Sequence, residues 1–232
     1  MTPAMQQLAL DLSTAPVPSL DNFESQGNEA CVAIVRQGLA QPQAMPQPLL
    51  LWGASGAGKT HVLRALLAQA AKQGWSTVAL GADTDAASAP AFDPHWRLVV
   101  MDDVDLWDEA LQALAFNWLA STQGHAQRPW VVAAASTPPA DWSVRADVRS
   151  RLAQGLVFEL RVLDEPARLQ VLRREAQARG LHLSDEVVSY MLRRFSRDLG
   201  SLMALLAHVD GYAMRTQRAL TVPLLKAMLE ED

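Results

Sequence analysis

A short apolar run leads directly into a glycine-rich loop at residues 49–60, which read LLLWGASGAGKT. Residues 53–60 fit the pattern Gly-x4-Gly-Lys-[Ser/Thr]. The glycines permit a tight turn with positive φ and bring backbone N–H groups against phosphate oxygens. A helix that begins at Lys59 directs the positive end of its dipole at the same anion. The stretch therefore predicts a buried strand, a phosphate-binding loop and a helix in direct succession.

The side chains that end this loop suit a nucleotide bound together with Mg²⁺. The Lys59 ammonium would reach the β- and γ-phosphates, and the Thr60 hydroxyl would ligate the metal. His61 comes next and is expected to pack at the helix start, beside the same site. The candidate nucleotide-binding residues are Gly53, Ala54, Ser55, Gly56, Ala57, Gly58, Lys59, Thr60 and His61. A glycine-rich turn that does no more than open a helix is the alternative interpretation.

A second apolar run, at residues 98–101, ends in the paired acids Asp102 and Asp103. In open α/β sheets the ligand site lies at the carboxyl ends of the strands. Asp102 is expected to hold Mg²⁺ there through water, and Asp103 to polarise an attacking water as a general base. A helix N-cap or a solvated strand end is the alternative for such a pair.

Strand and helix patterns alternate through the first two thirds of the chain. Strands are expected at 49–52, 76–80, 98–101 and 130–135, and helices at 28–40, 59–72 and 108–121. This alternation is typical of an α/β fold in which helices cover a parallel sheet.

From Asp164 onward the pattern is helical only. Asp164 and Ser184 are expected to cap two helices, Gly180 ends the first of them, and Thr221 opens a last short one. The expected organisation is therefore a tail at 1–18, a nucleotide-binding α/β core at 19–163 and a small all-helical domain at 164–232.

Composition limits the classes of function. The net charge of -5 gives no electrostatic case for nucleic-acid binding, and most arginines lie in the last third of the chain, mixed with acids. The single cysteine, Cys31, cannot build a disulfide framework and indicates a reducing compartment. No apolar run approaches the ~18 residues of a membrane helix. A signal peptide begins with basic residues, but the first basic residue of this chain is Arg36. A cytoplasmic protein without a membrane partner is expected.

Together these features resemble the AAA+ module of the DnaA family of bacterial replication initiators. The resemblance runs from residue 19 to residue 232 and includes SLDNF at 19–23. It implies a P-loop core with a helical lid domain, and ADP or ATP with Mg²⁺ as the ligand. In that family the Asp-Asn-Phe segment lies beside the nucleotide, which adds Asp21 and Phe23 to the expected site.

The resemblance implies roles for three further residues. Ser136, in VVAAASTPP, matches sensor 1, the polar residue at the end of a central strand. Arg151, in VRSRL, matches the arginine finger of box VII, and Arg197, in RDLGSL, matches sensor 2 on the lid. A hydroxyl near the γ-phosphate can orient water, and a guanidinium can neutralise charge on phosphoryl oxygens. Taken alone, either arginine is explained as well by a surface ion pair.

Within that family the chain is similar to the Hda group of DnaA inactivators, since a DNA-binding helix-turn-helix domain is not expected after the lid. The tail carries QLALDL at 7–12, which resembles the Gln-Leu-x-Leu-x-Leu motif by which Hda docks on the sliding clamp, the β subunit of DNA polymerase III. Alternating leucines of an extended peptide would enter apolar pockets of the clamp. The candidate contacts are Gln7, Leu8, Leu10 and Leu12. A tail segment without a partner is the alternative.

The resemblance thus implies an adaptor that docks on the clamp and stimulates hydrolysis of ATP on the AAA+ domain of DnaA, which prevents re-initiation of replication. Arg151 would act on the nucleotide of DnaA, and DNA would be engaged only indirectly. Weak ATPase activity of the chain itself and homo-oligomerisation stay open. The first alternative is a helicase loader or transposition ATPase that binds single-stranded DNA, and the second is a stand-alone NTPase.

Overall fold

Five parallel strands form one sheet, and eight α-helices cover it or follow it in the described parts of the chain. The computed structural model describes residues 18–45, 48–122, 128–195 and 198–231. The strands are β1 Leu49–Trp52, β2 Thr77–Leu80, β3 Leu98–Met101, β4 Trp130–Ala135 and β5 Leu156–Glu159. The helices are α1 Glu29–Ala40, α2 Lys59–Lys72, α3 Glu109–Ser121, α4 Ala146–Leu152, α5 Glu165–Ala178, α6 Asp185–Arg194, α7 Leu199–Thr216 and α8 Val222–Glu231.

The strand order is β2-β3-β4-β1-β5, and each neighbouring pair is parallel. Leu51 of β1 lies opposite Ala134 of β4 on one side and Phe158 of β5 on the other. Because all strands run the same way, the segments that follow β1, β3 and β4 emerge at one edge of the sheet. This edge is where a parallel sheet with such a crossover order places its ligand.

Both faces of the sheet are buried at its central strands β1, β3 and β4, which explains why these three are continuous apolar runs rather than alternating ones. Leu49 and Leu51 pack with α1 and α2 on one face, whereas Leu50 packs with α3 and α4 on the other. The tryptophans from Trp75 to Trp142 contribute to these two cores, and the ring of Trp96 meets that of Trp118 at 4.8 Å between centroids. These tryptophans are therefore core residues.

Two elements of the core were not predicted from the sequence. The strand β5 is an edge strand whose residues alternate between half-buried and exposed, and its apolar run at 156–158 is only three residues long. The helix α4 has only seven residues, too few for a helical period to stand out. Their positions depend on the neighbouring elements, which a local pattern does not contain.

The chain divides into two compact units, with the boundary between Ala167 and Arg168. The second unit has its own core, formed among others by Leu172, Val187 and Leu206. Its helix caps follow the expected chemistry, since the Val187 N–H donates to Ser184 Oγ at 3.3 Å. No helix in the described parts of the chain is both long enough and apolar enough to cross a bilayer.

A buried ion-pair cluster lies inside this second unit. The Arg179 guanidinium donates to Glu175 at 2.8 Å and stands 3.9 Å from an Asp210 oxygen. The side chains of Arg179 and Asp210 are each only 8% exposed. Buried charges of this kind are tolerated when they are paired, so the cluster fixes the end of α5 against α7.

Candidate nucleotide-binding site

The glycine-rich loop between β1 and α2 has the backbone that a phosphate-binding loop needs. Gly56 and Gly58 have φ of +79° and +94°, values that side chains rarely adopt. A Cβ on Gly58 would stand 2.6 Å from the Phe23 ring, and one on Gly53 would stand 2.3 Å from the Leu160 carbonyl oxygen. Close approach of neighbouring atoms therefore adds to the need for glycine at both ends of the loop.

The Lys59 side chain folds back over this loop and is only 7% exposed. Its Nζ donates to the Gly53 carbonyl at 2.7 Å and to the Ala54 carbonyl at 3.3 Å. A buried ammonium requires such acceptors, because an unpaired charge is strongly disfavoured away from water. These contacts hold the positive charge inside the loop, where phosphate oxygens of a bound nucleotide would meet it.

The Thr60 hydroxyl donates to Asp102 Oδ2 at 2.9 Å, which joins the start of α2 to the end of β3. A hydroxyl and a carboxylate are oxygen ligands of the kind that Mg²⁺ takes, usually with several waters. In the described parts of the chain, no group of three or more His, Cys, Asp or Glu side chains is placed to hold a metal. A magnesium ion here would rely on Thr60, Asp102, water and phosphate oxygens, and the two side chains fit that role.

Asp103 has a left-handed backbone, with φ of 51° and ψ of 44°. Such a conformation is uncommon outside glycine and recurs at functional sites. Burial raises the pKa of Asp103, the charge of Asp102 raises it further, and Lys59 acts in the opposite direction. A carboxylate with a raised pKa is a better proton acceptor, as the general-base hypothesis requires.

Ser136 and Thr137 follow β4 and are tied to the turn after β3 by Asp105. Its Oδ2 accepts from the Ser136 N–H at 3.0 Å and from the Thr137 hydroxyl at 3.3 Å. Asp105 was not predicted from the sequence, although a third acid close to the Asp102–Asp103 pair was a visible signal. The structure thus brings Ser136 to the edge that also carries Asp102.

The segment before α1 reaches the phosphate-binding loop through Phe23. The Phe23 and His61 rings lie 5.6 Å apart, and His61 Nε2 is 3.0 Å from the Ser19 carbonyl oxygen. Asp21 instead pairs with Arg36 of α1 at 2.9 Å and is 85% exposed. The described contacts of Asp21 do not include the loop, so the structure brings Phe23 and His61 to the site and leaves Asp21 against α1.

Arg151 lies away from this site, near the end of α4. Its guanidinium carbon stands 5.1 Å from the centre of the Phe116 ring. It lines a small pocket with Pro48 and Pro129, which precede β1 and β4. Arg151 is therefore at the amino-terminal edge of the sheet, opposite the phosphate-binding loop. Gln7, Leu8, Leu10, Leu12 and Arg197 lie outside the described residues.

Comparisons with known proteins agree with this architecture. The fold is similar to domain III of the replication initiation protein DnaA from Thermotoga maritima, with a TM-score of 0.75 and 17% identity over 93% of this chain and 97% of that one. It is also similar to AMPPCP-bound DnaA from Aquifex aeolicus, with a TM-score of 0.64 and 20% identity over 88% of this chain and 70% of that one. The strand order, the loop after β1 and the helical second unit together form a fold of the AAA+ type.

The second unit has a more specific similarity than the fold as a whole. Residues 164–229 match the family model described as the lid domain of Hda. A protein of Haemophilus influenzae (strain Rd) that carries no functional name is 27% identical over 235 residues, covering 97% of this chain and 98% of that protein. The second unit thus matches the Hda lid, and the fold of the chain is similar to that of DnaA, as the sequence motifs indicated.

Proposed function

We propose that this protein is a nucleotide-bound adaptor that inactivates DnaA. It binds ADP or ATP with Mg²⁺ in its own P-loop and docks on the β sliding clamp through Gln7, Leu8, Leu10 and Leu12. It then places Arg151 at the ATP of a DnaA subunit and stimulates its hydrolysis. The observation that carries the proposal is the match of residues 164–229 to the Hda lid, joined to a DnaA-like fold.

Nucleotide binding is supported by the geometry of the loop. Its positive-φ glycines, its buried Lys59 and the Thr60–Asp102 contact are the parts that cradle and neutralise phosphates. The AMPPCP-bound DnaA of Aquifex aeolicus has a similar fold. The proposal gives Arg197 a role at the same nucleotide, from the lid.

Action of Arg151 on a second subunit is supported by its position on α4, at the amino-terminal edge of the sheet. The strands separate it from the chain's own phosphate-binding loop, so it is badly placed to reach that nucleotide. Among the described residues its guanidinium lies over the Phe116 ring and makes no hydrogen bond or ion pair. The described residues thus leave its donors for phosphate oxygens of a partner, where such an arginine raises hydrolysis rates about 10³–10⁵-fold.

The test follows DnaA-bound ATP in the presence of clamp loaded on DNA, with and without the purified chain. Wild type is expected to accelerate hydrolysis, and Arg151→Ala to lose at least 10²-fold of that acceleration, an order-of-magnitude estimate from arginine fingers. The matched control is Arg149→Ala, on the same helix, whose guanidinium donates to the Trp142 carbonyl at 3.3 Å. Full stimulation by Arg151→Ala would remove the finger from the proposal.

Clamp docking is tested by capture on immobilised β clamp. The double variant Gln7→Ala/Leu8→Ala is expected to lose capture while keeping its affinity for nucleotide. Equal capture of the variant and wild type contradicts the docking role of the tail. Capture by single-stranded DNA but not by clamp would favour the helicase-loader class instead. Sustained ATP turnover by the chain alone, abolished by Lys59→Ala, would favour a stand-alone NTPase.

A further inference from the structure

Gln112 of α3 is one of the few polar side chains buried in the core, at 7% exposure. Both ends of its amide are bonded to backbone. Its Nε2 donates to the Trp107 carbonyl at 2.7 Å, and its Oε1 accepts from the Arg145 N–H at 2.8 Å. Arg145 occupies the N-cap position of α4. One side chain therefore connects the segment after β3 to the first turn of the helix that carries Arg151.

The connection continues to the nucleotide site. The Trp107 indole N–H donates to the Asp102 carbonyl at 3.0 Å, so the same tryptophan touches the proposed magnesium residue and Gln112. The path from Asp102 to the start of α4 thus consists of hydrogen bonds between side chains and backbone, in which the two side chains are buried. Buried hydrogen bonds fix geometry because leaving one partner unsatisfied is disfavoured.

The same face of α3 also contacts the arginines of α4. Phe116 lies one turn after Gln112, so the two side chains share a helix face. The Arg145 and Arg151 guanidinium groups stand over the Phe116 ring at 5.3 Å and 5.1 Å. Gln112 fixes the beginning of α4 and Phe116 receives the arginine near its end, so α3 holds this short helix at two points.

We propose that Gln112 is a positioning residue for Arg151. By tying the start of α4 to the turn beyond Asp102, it sets where the guanidinium stands relative to the nucleotide-site edge of its own subunit. The importance of this position for hydrolysis rests on the proposed function, in which Arg151 acts on the nucleotide of DnaA. An apolar side chain would fill the same volume without the need for hydrogen-bond partners, because a buried amide is tolerated only when it is bonded. The two hydrogen bonds of Gln112 therefore point to a role beyond filling space.

The first test uses the full chain alone. Gln112→Met keeps a similar volume and removes both hydrogen bonds, and Trp118→Phe is the control, because Trp118 is buried on α3 against Trp96. In Gln112→Met the Arg145 amide is expected to exchange with solvent about tenfold faster, as expected for the loss of one hydrogen bond. The ring-current shift that Phe116 imposes on the Arg151 side-chain protons is expected to shrink. Both signals are expected to stay at wild-type values in Trp118→Phe.

The second test measures stimulation of hydrolysis on ATP-bound DnaA with loaded clamp. Gln112→Met is expected to lower the maximal rate at least tenfold while the half-saturating concentration stays constant. The reason is that a displaced catalytic group stabilises the transition state less but leaves docking on DnaA unchanged. The maximal rate of Gln112→Glu is expected to rise towards that of wild type as the pH falls, because a protonated carboxyl can again donate to the Trp107 carbonyl. Gln112→Met should show no such recovery.

The outcomes separate the two proposals. An unchanged Arg151 ring-current shift in Gln112→Met overturns the positioning role, whatever DnaA does. A normal maximal rate in that variant, together with a changed shift, also overturns it. If wild type itself fails to stimulate DnaA while Gln112→Met still alters the shift, the proposed function fails and the structural role of Gln112 stands.

Discussion

Replacing Gly58 by alanine is expected to destabilise the core because two separate effects meet at this position. A side chain at φ +94° introduces backbone strain of about 1–3 kcal/mol. The added Cβ would also stand 2.6 Å from Phe23 Cε2, and overpacking of this kind costs about 1–3 kcal/mol. The expected loss of about 2–6 kcal/mol is a large fraction of the stability of an ordinary domain.

Gly74→Ala is the matched control for this variant. Gly74 also has a positive φ, of +67°, but a Cβ there would meet nothing within 4 Å. Its replacement should show the backbone effect alone, about 1–2 kcal/mol. Both substitutions lower the entropy of the unfolded chain equally, so the difference between them contains the contact with Phe23 and the smaller effect of the two φ values.

The assay is urea unfolding followed by tryptophan fluorescence, with free energies obtained from the midpoint and slope. Adding Phe23→Leu to Gly58→Ala is expected to recover the packing part of the loss, and a double-mutant cycle gives its size. If Gly58→Ala is no more destabilising than Gly74→Ala, Phe23 does not pack on the phosphate-binding loop and the reasoning is wrong.

Three further results are expected. In thermal melting, Arg179→Met should destabilise the second unit by about 3–5 kcal/mol, because the buried Asp210 and the partly buried Glu175 lose their partner. Arg173→Met, which removes an exposed ion pair, should cost below about 1 kcal/mol in the same experiment. Because burial raises the pKa of Asp103 in the folded chain, its charge opposes folding at neutral pH, so Asp103→Asn should raise Tm there. That gain in Tm should fade as the pH falls through the raised pKa that Asp103 has in the folded chain. It should be absent well below pH 3.8, the ordinary pKa of an aspartate, and a gain that stays constant with pH would contradict the pKa shift. Thr60→Val should weaken binding of Mg-ADP about tenfold or more in calorimetry, with little change in EDTA, since the lost hydroxyl acts through the metal.

The arrangement of the candidate nucleotide-binding loop was largely predictable because its parts are local. The residues at 53–60 carry their own turn, charge and hydroxyl, and the helix that follows begins where the lysine stands. The pair at the end of β3 was predictable because a buried strand that ends in acids is a short-range pattern. Ser136 was placed only by a resemblance, and Asp105, which binds its backbone, was missed because the contact spans the ends of two strands.

The position of Arg151 could not be predicted from the sequence. A motif of five residues suggested Arg151, but its distance from the chain's own loop follows from the parallel sheet and the short helix that returns to its far edge. The contacts of Gln112 and Phe116 likewise depend on how α3 packs beside α4. No period or spacing encodes them.

By itself, therefore, the sequence determined the phosphate-binding loop, four of the strands and the helical second unit, because each depends on turn chemistry and on hydrophobic patterns within a few residues. The tertiary structure decided which loops meet at one edge, which strand closes the sheet and which side of the molecule presents Arg151. Those outcomes arise from burying both faces of one sheet at once, and this constraint acts between segments far apart in the chain.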